Sequence, residues 1–249
     1  MTQTDASNHS EQIRLFKFRR VTERLYESIE NSTLWCSKPS RLNDPFDCQL
    51  DLMNSWKRAA ARATGKQKEW MNAPMETMAF IHAWPIQFEN VGVLSLTSEQ
   101  LNPLMWSHYA DEHRGVCLLY QFSPAFVEEP TSGIIGLAEV KYSADALTDW
   151  LLEHQCTSFQ DFIQQLIPVY LTAKDPAWAY EKEVRLVTFA EGELKMPPRS
   201  LAQVCFGMRT PTTEIDRIMK LASEHGGCGS FCQIKRSQSH DFGITAVPL

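Results

Sequence analysis

The sequence predicts a mixed α/β fold, α+β in character: a sheet interrupted by helical insertions. Short runs rich in β-branched and aromatic residues, such as Val91–Thr97 and Val116–Tyr120, alternate with stretches whose apolar residues recur at helical spacing. The helical stretches concentrate near residues 50–90 and 145–173. No internal repeat or low-complexity linker divides the chain, so residues 13–249 read as a single mixed domain behind a polar, disordered N-terminus at 1–12.

Composition narrows the function classes. A net charge of −6 with a pI near 5.7 argues against a broad nucleic-acid surface, though it leaves room for a local basic groove. No apolar run approaches the roughly 18–20 residues of a membrane helix, and MTQTDASNHSEQ lacks the apolar core of a signal peptide. The expected setting is the cytoplasm, with no membrane partner. Seven cysteines are an odd number without a disulfide-like framework, so most are expected to be buried free thiols. Cys228 and Cys232, flanked by His225 and His240, have zinc-compatible spacing on one side only, and no metal is expected.

Taken in order, Ile13–Arg20 alternates apolar and basic residues as a half-buried strand does. Leu25, Tyr26 and Ile29 predict a helix over 22–31 with Thr22 as its N-cap, and Thr33–Ser37 reads as a second strand. Asn43-Asp44-Pro45-Phe46-Asp47 is turn chemistry, either a tight turn pinned by Phe46 or a loop that places Asn43, Asp44 and Asp47 beside a ligand. Gly65 and Pro74 break the helical region that holds Trp70, Met71, Met75 and Met78, all read as core. A third strand at 91–97 precedes a short helix at 104–111. A polar turn closed by Gly115 then leads into a strand at 116–120. Ala138–Tyr142 is another strand, and Lys174-Asp175-Pro176 ends the second helical region. The remaining expectations are a strand at 201–206, an amphipathic helix at 212–224 and closing strands at 231–235 and 244–247.

The stretch Trp178–Phe189 reads as one strand, rich in aromatic and β-branched residues. Side chains alternate along a strand, so Glu181, Glu183 and Arg185 share a face at spacings of about 6.5–7 Å. That face is either a solvated polar surface or a catalytic carboxylate pair lining a cleft. His108, Asp111 and Glu112 fall on one helical face at i, i+3 and i+4, which admits a metal site or a hydrogen-bonded histidine. No Gly-x-Ser-x-Gly elbow, P-loop or dinucleotide fingerprint is present, and Cys117 lies in an apolar strand. The inventory of carboxylates, arginines and hydroxyls suits stabilisation of a cation-like carbon as a good leaving group departs.

Four segments, Leu15–Arg19, Leu34–Asp47, Leu104–Cys117 and Trp178–Arg185, resemble a widespread bacterial family catalogued as domain of unknown function 2971, over roughly residues 13–210. A more distant resemblance is to ADP-ribosyltransferases of the Arg-Ser-Glu type. It rests on Arg19, then a hydroxyl at Ser37 or in Ser95-Leu96-Thr97, then Glu181-Lys182-Glu183. That resemblance implies a split central sheet and NAD as co-substrate. Glu183 would act on the nicotinamide ribose, Glu181 would activate the acceptor, and Arg19 would hold a phosphate or ribose. Ser37, Asn43, Asp47, Ser95, Thr97, Trp106, His108, Tyr109 and Arg185 complete the expected cofactor site. The implied role is a toxin or phage-defence effector that transfers ADP-ribose to an unknown acceptor and is held in check by a neutralising partner. The alternatives are a metal-dependent hydrolase or nuclease using His108, Asp111 and His113, and a non-catalytic binding module.

Overall fold

The computed structural model describes residues 12–72, 89–154, 156 and 158–249. Its elements, in chain order, are β1 (Ile13–Arg19), α1 (Glu23–Glu30), β2 (Thr33–Cys36), α2 (Leu52–Arg62), α3 (Gly65–Met71), β3 (Gly92–Thr97), α4 (Pro103–Tyr109), β4 (Val116–Phe122), α5 (Pro124–Glu128), β5 (Ile134–Glu139), β6 (Lys141–Tyr142), α6 (Ala146–Glu153), α7 (Phe159–Thr172), β7 (Ala173–Lys174), β8 (Glu183–Thr188), β9 (Gly192–Lys195), β10 (Leu201–Phe206), α8 (Thr212–Glu224), β11 (Phe231–Arg236) and β12 (Ile244–Pro248). The mixed α/β class read from the sequence is therefore the class observed. The expected N-terminal disorder, Pro74, Met75 and Met78 lie outside the described residues. Among the described residues no helix is long and apolar enough to cross a membrane. The chain divides into two compact units, one of Met1–Leu34, Thr97–Ile134 and Lys195–Leu249, the other of Trp35–Leu96 and Ile135–Leu194.

In the first unit the strands run β12-β11-β10-β4-β1, with Thr97 paired to Phe16 beyond β1. β4 is antiparallel to both neighbours, β1 and β10, and Val116 to Tyr120 are all buried, as expected of an interior strand. β10 and β11 are parallel, which requires a crossover, and α8 supplies it. Ile218 and Ala222 give α8 its buried stripe. α1 lies beside it: the Tyr26 hydroxyl bonds Glu214, and the Arg217 guanidinium sits 3.7 Å over the Tyr26 ring.

Asp111, Glu112 and His113 have φ of +49°, +52° and +68°, three consecutive non-glycine residues in the left-handed region. Each costs about 1–2 kcal/mol for an L-residue, so neighbouring backbone must hold them there. Gly115 N donates to Ala110 O at 2.7 Å, His113 N to Trp106 O at 3.1 Å, and Arg209 N to His113 O at 2.9 Å. Close approach at Gly207 permits the last contact, because a Cβ there would lie 2.1 Å from the His113 carbonyl oxygen.

In the second unit β3, β8 and β5 are adjacent strands. Its core is aromatic. Trp56, Trp150 and Phe162 are buried, with Trp56 and Trp150 ring centroids 6.0 and 5.7 Å from that of Phe162, and Trp70 packs 5.2 Å from Trp56. The helical region at 145–173 is two helices, capped at Ser158, whose hydroxyl accepts from Asp161 N.

Gly207→Ala is expected to lower unfolding free energy by about 1–3 kcal/mol through overpacking. Urea denaturation should show a lower midpoint with an unchanged slope.

Candidate functional site

The second unit contains a cleft of about 590 Å³. Its lining includes Asp44, Phe46, Arg58, Asp145, Lys174 and Trp178. The Asn43–Asp47 turn forms one side: Asp44 Oδ1 accepts from Phe46 N at 2.9 Å, an Asx turn that fixes the loop. Phe46 does not pin this turn, as one sequence reading had it. Its ring is 76% exposed at the cleft. Across the turn from α2, Arg58 bonds Asp145 at 2.8 Å, and Asp145 accepts from Thr148 at 2.6 Å. Burial alone would raise the Asp145 carboxyl; its hydrogen bonds to Arg58 and Thr148 bring it below the usual range.

Behind the cleft lies a buried cluster of charge. Lys174 Nζ donates to Glu181 at 2.5 Å and to Glu183 at 2.8 Å, and lies 3.5 Å from Asp47. Arg185 is fully buried, yet each of its five N–H donors has an acceptor. Nε and Nη2 reach Glu183 at 2.9 and 3.1 Å, and Nη2 reaches Asp47 at 2.7 Å. Nη1 reaches Leu171 O at 2.7 Å and Cys48 Sγ at 3.1 Å. Leu171 lies in the last turn of α7, so the guanidinium also satisfies a helix-terminal carbonyl.

Burial would raise the Glu183 carboxyl, but the hydrogen bonds and charges of Arg185 and Lys174 outweigh it and bring the pKa from 4.5 to about 2. Burial alone would lower Lys174; Glu183 and Glu181 reverse this and hold the ammonium above its ordinary value. Burial pushes the Cys48 thiol up to about 12 despite Arg185, so it is no nucleophile near neutrality.

The local conformation differs from the strand read at 178–189. Pro176–Glu181 is a 3-10 helix, capped where Asp175 Oδ1 accepts from Ala177 N at 2.8 Å. Lys182 then adopts φ +46°, and β8 starts only at Glu183. Asp175 and Pro176 carried that signal, since an Asp followed by Pro is a helix N-terminus pattern. The left-handed Lys182 turns the backbone so that Glu181 and Glu183 both meet Lys174. The face is neither solvated nor part of the cleft lining; only Asp47 and Lys174 belong to both the cluster and the cleft.

Of the residues singled out from sequence, the structure brings Asp47, Glu181, Glu183 and Arg185 together and places Asn43 on the cleft. In the same unit, Ser37 pairs by backbone with Val93, and Ser95 is half-buried in β3. In the first unit Arg19 is half-buried at the end of β1. The Thr97 hydroxyl accepts from Glu99 N at 3.0 Å. Trp106 is core: its Nε1 donates to Gln100 O at 2.8 Å and its ring packs edge-on to Phe18. His108 is exposed and Tyr109 half-buried.

The helical face proposed for His108, Asp111 and Glu112 does not form, because α4 ends at Tyr109 and the next turn is left-handed. Among the described residues no group of three or more His, Cys, Asp or Glu side chains is placed to hold a metal ion. His113 instead stacks on Trp106 and places Nε2 3.3 Å from Ser107 Oγ. Lys174 and Trp178 were missed as site residues. The signal available was a lone lysine at the end of an apolar helical run, followed by Asp-Pro and an aromatic.

Residues 105–186 match the model of a family described as Protein of unknown function (DUF2971), which bears out the family read from the sequence motifs. No curated protein and no solved structure matches the chain.

Lys174→Met should cost about 3–5 kcal/mol in urea unfolding, since it strands buried carboxylates. A depressed carboxyl stabilises the fold above its unfolded pKa and ceases to as pH falls through the folded one. The Glu183 contribution is therefore full above about pH 4.5 and fades toward about pH 2. Glu183→Gln should flatten that part of the acid limb, as followed by circular dichroism.

Proposed function

For a chain carrying this family segment, whose description assigns no activity, we propose that the second unit binds a small molecule in the cleft, with the ionic cluster as its rigid wall. The observation that carries this is the dual membership of Asp47 and Lys174. Both are fixed by the buried cluster and both line a cavity of about 590 Å³, within the usual range for small-molecule sites. Phe46 and Trp178 add flat apolar surfaces. The charged lining consists of Asp44, Asp47, Asp51, Asp145 and Asp175 against Arg58 and Lys174, a formal charge of −5 + 2 = −3. Such a lining disfavours a polyanion. The ligand is a neutral or cationic molecule bearing hydroxyls or amines and a flat ring.

A second reading is NAD-dependent ADP-ribosyl transfer, the activity implied by the distant resemblance. It is supported by the pairing, within the first unit, of the hydroxyl-bearing Thr97 with Phe16 of β1, the strand that ends at Arg19. It also requires Glu183 to exchange Lys174 or Arg185 for a ribose hydroxyl.

Thermal-shift titration with adenosine and agmatine as probes, beside NAD and ADP-ribose, separates the readings. The cleft reading expects stabilisation by adenosine or agmatine, with an apparent affinity that weakens at least about tenfold (about 1.4 kcal/mol) in Trp178→Ala. Stabilisation by NAD alone, with nicotinamide release that Glu183→Gln abolishes, would replace it with the transferase. If no probe shifts the melting temperature, the cleft reading fails for this ligand class.

A further inference from the structure

Three cysteines stand abreast in the sheet of the first unit. Cys205 on β10 faces Cys117 on antiparallel β4 at one side and Cys232 on parallel β11 at the other. All three are buried free thiols. Facing residues of neighbouring strands project from the same side of a sheet, so the thiols form a row. Cys205 and Cys232 are direct register partners on parallel strands. Strands lie about 4.7–4.9 Å apart, inside the Cα separation of about 4.4–6.8 Å that a disulfide spans.

We propose that Cys205 and Cys232 are an oxidative modification site, a dithiol that hydrogen peroxide converts to an intrachain disulfide. The interaction of the two neighbouring thiols lowers the pKa of Cys232 and raises that of Cys205, so the two partners take different roles. Cys232 lies opposite Pro248, the last residue of the edge strand β12. Proline has no N–H to donate to the ladder, and Cys232 is the less buried of the pair, 4% exposed against 0% for Cys205, one strand in from β12.

The Cys232 thiolate attacks one peroxide oxygen and breaks the O–O bond. The leaving hydroxide takes a proton to become water, and Cys232 becomes a sulfenic acid. The Cys205 sulfur then attacks the Cys232 sulfur, and its proton leaves with the displaced hydroxide as a second water. Two thiols and one peroxide thus give one disulfide and two waters. The bond closes a loop that contains α8, so the oxidised form should resist unfolding more than the reduced form. Cys117 is the competing partner, and half-exposed Cys156 in the second unit is the competing target.

The test treats the full chain with excess hydrogen peroxide, alkylates it, digests it with trypsin without reductant and maps the peptides by mass spectrometry. Cleavage at Arg209, Arg217 and Lys220 separates the two cysteines, and fragmentation distinguishes Cys232 from Cys228. The expected result is a Cys205–Cys232 cross-link, an intact mass lower by two hydrogens, reversal by dithiothreitol and a higher melting temperature when oxidised. Cys232→Ala should lose the mass change, and Cys117→Ala should keep it. A Cys117–Cys205 link, oxidation confined to Cys156, or chain dimers overturn the proposal. The wild-type map decides even where a variant fails to fold.

Discussion

The second unit is organised by the need to neutralise one buried ammonium. Removing Lys174 from water costs several kcal/mol even after relaxation, and that cost is offset only where carboxylates converge on it. Three do, and they come from different parts of the chain: Asp47 from the turn after β2, Glu181 from a 3-10 helix and Glu183 from β8. Three carboxylates around one lysine would leave excess negative charge, which Arg185 reduces while bonding Asp47 and Glu183. The same guanidinium bonds Leu171 O, so the end of α7 is tied to the cluster too. Hydrophobic packing alone would leave the short pieces between these elements free to slide. Charge compensation leaves them one register, a use of buried ions better attested for specificity than for stability.

Much of the fold was legible because periodicity and turn chemistry are local. β1, α1, α8 and the strand at 201–206 follow from apolar spacing that the tertiary structure does not overrule. Glu181, Glu183 and Arg185 were legible as a group for the wrong local reason. Two carboxylates two residues apart share a strand face, but here they meet because a left-handed Lys182 joins a 3-10 turn to a strand. Nothing about lysine announces a positive φ. Burial was equally hidden, since the partners that make these charges tolerable, Asp47 and Lys174, stand far away in sequence or beyond the end of a helix. The left-handed run Asp111–His113 escaped notice for the same reason: glycine marks such conformations, and here only Gly115 at its end does so.

These constraints bear on what the cleft can do. A group that moves protons near neutral pH needs a pKa in that range. Glu183 is held near 2, Lys174 above its ordinary value and Cys48 near 12, so none of them changes charge around pH 7. The cluster therefore presents a fixed field instead of a reactive acid or base. A fixed field in a low-dielectric wall orients dipoles and selects charge without reorganising when a ligand arrives. That behaviour suits recognition. For chemistry to occur there, a reacting carboxylate would have to shed Arg185 or Lys174, and the five satisfied donors of the buried guanidinium oppose that exchange. The Glu-Lys-Glu spacing resembles catalytic machinery in sequence, whereas in the fold hydrogen bonds to Lys174 and Arg185 tie the same carboxylates into the buried cluster.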